Sequence, residues 1–171
     1  MAQRLEEARL KLTMVKDGHF DSEACVAAYA AAFQWYGLDV EHLDPAEAGE
    51  RIRSHSIQRQ LVTALDHWAS LLGNRKERVK QLLAVARVAD PDPWRERLRD
   101  FLDGKDGKAL NELVASDHLD ELQPATAVVL VRLTLKTPEA ERVAILLRQL
   151  QQRHPNDFWV NHELSRSSKV F

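Results

Sequence analysis

A single cysteine, Cys25, leaves no room for an intramolecular disulfide framework and suits a reducing compartment. Glycine and proline number only six each, too few for a fibrous or low-complexity chain. No apolar run approaches the roughly 18 residues of a membrane-spanning helix. The opening MAQRLEEARLKL is charged and amphipathic, unlike a secretory signal. These absences place the protein in the cytoplasm, away from membranes. Neither sign of charge dominates, with 24 Lys and Arg against 26 Asp and Glu. A net charge of −2 gives no reason to expect nonspecific nucleic-acid binding.

What remains is helix-forming. Ala, Leu, Arg and Glu dominate, and 44% apolar with 29% charged residues is ordinary for a globular chain of 171 residues. Charge is unevenly spread: residues 1–55 carry six Lys/Arg and ten Asp/Glu, residues 75–108 ten and seven. This fits either a polarised surface or solvated helix faces.

Leu5, Leu12 and Val15 place an apolar stripe on an opening helix that ends near Asp17-Gly18. A second helix spans about Ser22 to Tyr36, with small residues Cys25, Ala28 and Ala32 beside Tyr29 and Phe33, and Gly37 stops it. Asp44-Pro45-Ala46-Glu47 is a cap, a first-turn proline and a capping-box glutamate, so a helix follows to about residue 54. Ile57, Leu61, Leu65, Trp68 and Leu72 define a longer helix closed by Gly73-Asn74. Val79 to Ala89 forms another, broken at Asp90-Pro91, and Asp92-Pro93 starts a helix carrying Trp94, Leu98, Phe101 and Leu102. Leu110, Leu113 and Val114 lie on a helix beyond the 103–107 turn. The β-branched run ATAVVLVRLTLK after Pro124 reads as helix, because a lone strand would have nothing to pair with. Thr137-Pro138-Glu139 opens its partner, which ends at His154-Pro155, and Asn156-Asp157 caps a last helix with Phe158, Trp159 and Leu164. The expected class is all-α, with about ten short helices stacked as antiparallel hairpins.

Pro91, Pro124 and Pro155 are 33 and 31 residues apart, close to the ~34-residue tetratricopeptide period. Val143, Leu147, Leu150 and Pro155 match the spacing and polarity of that motif's spine, with Leu164 on its Leu and Ser165 in place of its Gly. Cys25, Tyr29 and Ala32 repeat the small–aromatic–small spacing, with Leu12 on the Leu position and Thr13 in place of Gly. The back half and the first hairpin therefore resemble tetratricopeptide (TPR) repeats. Arg9 and Asn161 occupy the motif's Trp positions, and residues 38–90 do not fit the period. The resemblance implies a TPR-like hairpin at 1–37, an irregular helical segment at 38–90, and TPR-like repeats at 91–171, the last incomplete.

The phrases YGLDVEHLDPAEAGERI, LVTALDHWA, LLAVARVADPDPWRERLRD and HPNDFWVNHEL resemble a helical region of large bacterial proteins, where it follows a serine/threonine protein-kinase domain. In such proteins further repeats continue past the NHEL phrase, so the chain looks like a fragment. It carries no G-x-G-x-x-G, V-A-I-K, H-R-D or D-F-G motif and no P-loop.

Other chemistry is as thinly signalled, and no cofactor is implied. None of the seven histidines pairs at i,i+4 or stands beside Cys25 at metal-ligand spacing, so no metal site is expected. His162-Glu163 begins a zinc-protease motif, but Arg166 stands where its second histidine belongs. Asp66 and His67 are adjacent on a helix, so their side chains diverge by about 100° and make no orienter–base pair. Cys25 reads as a small core residue, and Glu6/Glu7 and Glu139/Glu141 as first-turn and surface charge. The cluster Arg75-Lys76-Glu77-Arg78-Val79-Lys80 is interrupted by Glu77, and acidic residues alternate with Arg95, Arg97 and Arg99. Neither makes the uninterrupted basic face that phosphate tracking needs. The four tryptophans, Trp35, Trp68, Trp94 and Trp159, read as core wedges.

The expected function is a noncatalytic protein-interaction scaffold. The alternative is a detached recruitment region of a bacterial kinase, and a small helical enzyme would need a polar pocket built from distant residues. In TPR arrays the first helix of each hairpin lines the groove. Carried over from Pro155, that rule selects Val128, Arg132, Lys136, Trp159, His162, Arg166 and Lys169. The groove is then basic and suits an acidic or C-terminal peptide. An incomplete last repeat also implies weak self-association through Phe158, Trp159 or Leu164.

Overall fold

The computed structural model describes residues 1–13, 15–16, 19–104, 110, 112–113, 124–134 and 140–167. Three helices of the first hundred residues begin where aspartates cap them. Asp21 accepts from the Ala24 N–H at 2.8 Å and opens α2 (Ser22–Trp35). Asp44 accepts from Ala46 and Glu47 at 2.9 and 3.2 Å and opens α3 (Pro45–Arg53). Asp92 accepts from Arg95 at 2.8 Å and opens α6 (Pro93–Leu102). At both Asp-Pro starts the proline gives up an N–H that has no partner in a first turn.

The remaining helices are α1 (Ala2–Leu10), α4 (Gln58–Leu71), α5 (Lys76–Ala89), α7 (Pro124–Thr134), α8 (Ala140–Arg153) and α9 (Phe158–Ser167). The class is all-α. The one sheet among the described residues is a two-residue ladder, β1 (Val15–Lys16) against β2 (His19–Phe20), with Val15 opposite Phe20. This corrects the opening helix. It stops at Leu10, passes through a 3-10 turn at Lys11–Thr13, and does not reach Val15. The dipeptide between the strands is Asp-Gly, a pair that favours two-residue hairpin connections over helix.

Helix α2 stops as its glycine predicts. Gly37 takes φ 79°, its N–H bonds the Gln34 carbonyl, and the Leu38 N–H bonds the Phe33 carbonyl at 3.0 Å. That double closure satisfies two carbonyls that would otherwise be orphaned, and Leu38 packs inward beside it.

The chain divides into two compact units, Met1–Asp103 and Gly104–Phe171. In the first, α2 packs on α1 and α4, so segments 1–37 and 38–90 share one core with the start of 91–171. Cys25, Tyr29, Phe33, Ile52, Leu61, Leu65, Trp68, Leu82 and Leu83 are almost wholly buried there. Tyr29 stacks on Trp68 with centroids 6.1 Å apart, and Phe33 packs against the same indole. Helix α3 lies hard against α5 because Gly49 has no side chain. A Cβ there would overlap the Val88 side chain and stand 3.0 Å from the Val85 carbonyl oxygen.

In the second unit α7, α8 and α9 pack on one another. Ala127 to Val131 are all buried, which explains how a valine-rich run forms a helix: surrounded on every side, it needs no polar face. Val143, Leu146, Leu147 and Leu150 form the inward stripe of α8. Asp157 caps α9 by accepting from Trp159 and Val160 at 2.9 and 3.0 Å.

Of the four tryptophans, Trp68 and Trp159 are buried as expected. Trp35 is not: it is 60% exposed, and the Arg4 guanidinium lies 4.2 Å over its ring. Placed on the last turn of α2, it falls off the Cys25–Tyr29–Phe33 stripe.

Candidate functional site

Two charge clusters stand out, one in each unit. In the C-terminal unit, α7 supplies Arg132 and α9 supplies Glu163, whose side chain is completely buried. Arg132 donates to Glu163 Oε1 through both Nε and Nη2, at 2.9 and 2.6 Å. His162 Nδ1 and Arg166 Nη1 each stand 3.6 Å from the same oxygen. Three basic side chains thus surround one carboxylate. His162 also stacks on Phe158 at 5.7 Å, and Trp159 meets both rings edge-on.

The structure therefore brings Arg132, Trp159, His162 and Arg166 together. Val128 is fully buried and Trp159 nearly so, and both serve helix packing. Arg132 is mostly buried, whereas Phe158, absent from the expected set, is 52% exposed. Lys136 and Lys169 lie outside the described residues, as do residues 105–109 and 135–139. Asn161 donates to the Pro155 and Asp157 carbonyls and accepts from Gln151. Its polar character is used to close the turn before α9.

The N-terminal unit holds a larger network at the end of α5. Arg99 of α6 is completely buried and grips Asp66 of α4 with two bonds, Nε–Oδ1 at 2.9 Å and Nη2–Oδ2 at 3.2 Å. It also donates to the Asp90 carbonyl at 2.7 Å and carboxylate at 3.0 Å. Gln58 caps the Ala89 carbonyl and Arg53 the Val88 carbonyl, so three helices satisfy the open end of α5. Arg95 holds Asp90, and Arg87 reaches Glu96, Asp100 and Asp103.

Burial pushes the Asp66 carboxyl above its ordinary range, with the Arg99 charge pulling against it. Burial also works against the Arg99 charge, but Asp66 and Asp90 outweigh it and hold the guanidinium above its usual value. Beside Asp66, His67 turns the other way and shares a 2.7 Å hydrogen bond between its Nδ1 and the Tyr29 hydroxyl. Both groups are enclosed in the core.

Three of the four cations in 75–80 are paired with carboxylates. Arg75 pairs with Glu23 at 2.6 Å, Arg78 with Glu41 at 2.6 Å, and Lys80 with Glu77 at 3.3 Å. Cys25 is fully buried. Among the described residues no three His, Cys, Asp or Glu side chains are grouped to hold a metal ion, and no helix is long and apolar enough to cross a membrane.

No family model matches this chain, and no curated protein or solved structure is found to be similar to it.

Proposed function

We propose that this chain is a noncatalytic scaffold of tetratricopeptide type that binds a protein or peptide, and that an acidic segment docks on the outer side of α9. The observation carrying this reading is the convergence of Arg132, His162 and Arg166 on the single carboxylate of Glu163. Glu163 cancels one positive charge, and Arg166 keeps about a third of its side chain in solvent. Two arginines, Arg132 and Arg166, thus face the one carboxylate of Glu163. Phe158 offers a half-exposed ring beside it, giving an extended peptide both an apolar anchor and a charge partner. In the C-terminal unit α7 packs on α8 and α8 on α9, a stacking in chain order that supports the scaffold reading.

Fluorescence anisotropy with a labelled Glu/Asp-rich peptide tests the site on the full chain. Saturable binding on the order of micromolar is expected, weakened about tenfold by Arg166→Glu with helix content unchanged. Equal binding of a Lys-rich peptide, or wild-type affinity in the variant, rejects the site.

A further inference from the structure

Asp66, Arg99, Arg132 and Glu163 follow one another at intervals of 33, 33 and 31 residues. The last three each stand eight residues after Pro91, Pro124 and Pro155, and Asp66 stands eight after Gln58, the first residue of α4. The frame therefore reaches back into the segment that the proline spacing left out. All four side chains are buried or nearly so, and they form two pairs: Asp66 with Arg99, and Arg132 with Glu163. Each pair joins the first and third of three consecutive helices, α4 to α6 across α5, and α7 to α9 across α8.

We infer that these pairs are two copies of one device, a buried ion pair that sets the register in which each helix packs on the next but one. Apolar packing alone is a poor register mark. The buried run Ala127–Val131 presents similar side chains at every step, and burial of apolar surface has no direction. An ion pair of 2.6–2.9 Å tolerates no such slip. Sliding one helix by a turn, about 5.4 Å, would leave a carboxylate buried without its cation.

The order of signs adds a second consequence. Along the four positions it runs minus, plus, plus, minus. The two like charges in the middle, Arg99 and Arg132, cannot pair with each other, and the division between the two compact units falls between them. Within each unit the device specifies which two helices are tied together. This inference shares the Arg132–Glu163 pair with the proposed peptide site, but its test reads amide protection and not peptide binding, so the two fail independently.

The experiment compares the full chain with Arg132→Glu, Glu163→Arg, the double swap, and the apolar double variant Arg132→Met/Glu163→Leu. Hydrogen exchange is followed in α8, which touches neither substituted position in sequence. Each single reversal is expected to lower protection there about a hundredfold or more, since it buries like charges. The swap recovers most of that loss. The apolar pair keeps its protection but shows more than one amide signal for α7 and α9 residues in nitrogen–proton spectra, the mark of mixed registers. A swap no better protected than the worse single variant overturns the inference, and so does a single sharp signal set from the apolar pair.

Discussion

Asp66 and His67 are neighbours on α4 but serve different helices, Asp66 pairing with Arg99 of α6 and His67 with Tyr29 of α2. The angle of about 100° between successive helical side chains makes this possible. One short polar segment thereby ties the central helix to both flanks, in a core that is otherwise apolar. Tyr29→Phe isolates the α2 side of this arrangement. It removes only the hydroxyl and keeps the ring stacked on Trp68. Loss of a buried hydrogen bond costs about 1–3 kcal/mol when the partner stays behind. Urea denaturation should show a drop of that size; a change within about 0.5 kcal/mol, the ordinary range for neutral substitutions, would mean the bond contributes nothing.

Gly49 is a packing position and has no turn to make. Gly49→Ala is expected to destabilise the N-terminal unit by about 1–3 kcal/mol, the usual cost of overpacking, despite alanine's better helix propensity. Most of the overlap is with the Val88 side chain, so Val88→Ala in the same chain should restore part of the loss. A double-mutant cycle in chemical denaturation measures that coupling. Additive effects would show that the helices simply move apart.

Much of the fold was legible because its boundaries are set locally. Asp44-Pro45 and Asp92-Pro93 cap and start helices by rules that need no tertiary context, and Gly37 ends α2 by backbone geometry alone. The buried arginine was not legible in the same way. Arg99 lies among alternating charges, which read as surface, and its burial depends on Asp66, which is 33 residues away. A signal did exist: Arg95, Leu98, Arg99 and Leu102 recur at i, i+3, i+4 and i+7, so Arg99 shares the inward face with Leu98. Glu163 carried a similar signal, standing eight residues after Pro155 as Arg132 stands after Pro124. Of the three apolar residues singled out on the last helix, Phe158, Trp159 and Leu164, Phe158 is exposed whereas Trp159 is buried among α7–α9.

His42 provides a titration that can be followed directly. Its Nδ1 lies 2.8 Å from Asp39, and that hydrogen bond, together with the carboxylate charge, raises its pKa above the ordinary 6.5. A raised folded-state pKa means that the interaction contributes fully below 6.5 and is lost as pH rises through the folded value. Proton NMR of the His42 ring should therefore give a midpoint above 6.5 in the native chain, falling towards it in Asp39→Asn. An unchanged midpoint in the variant would assign the shift to another group.

Asp157 tests whether the cap before α9 holds the basic cluster in place. Its carboxylate accepts from two first-turn N–H groups, and its backbone carbonyl receives the Asn161 side chain. Asp157→Ala is expected to cost about 1 kcal/mol, the usual value of an aspartate cap. The effect should be local at first, because fraying of the first turn displaces Phe158 and Trp159 before it reaches Glu163 one turn further on. Hydrogen exchange should therefore quicken at Trp159 and Val160 while α8 stays protected, and Asp157→Ser, which keeps a capping oxygen, should restore most of the protection. If α8 loses protection equally, the cap is holding the whole unit together and α9 has no independent first turn to fray.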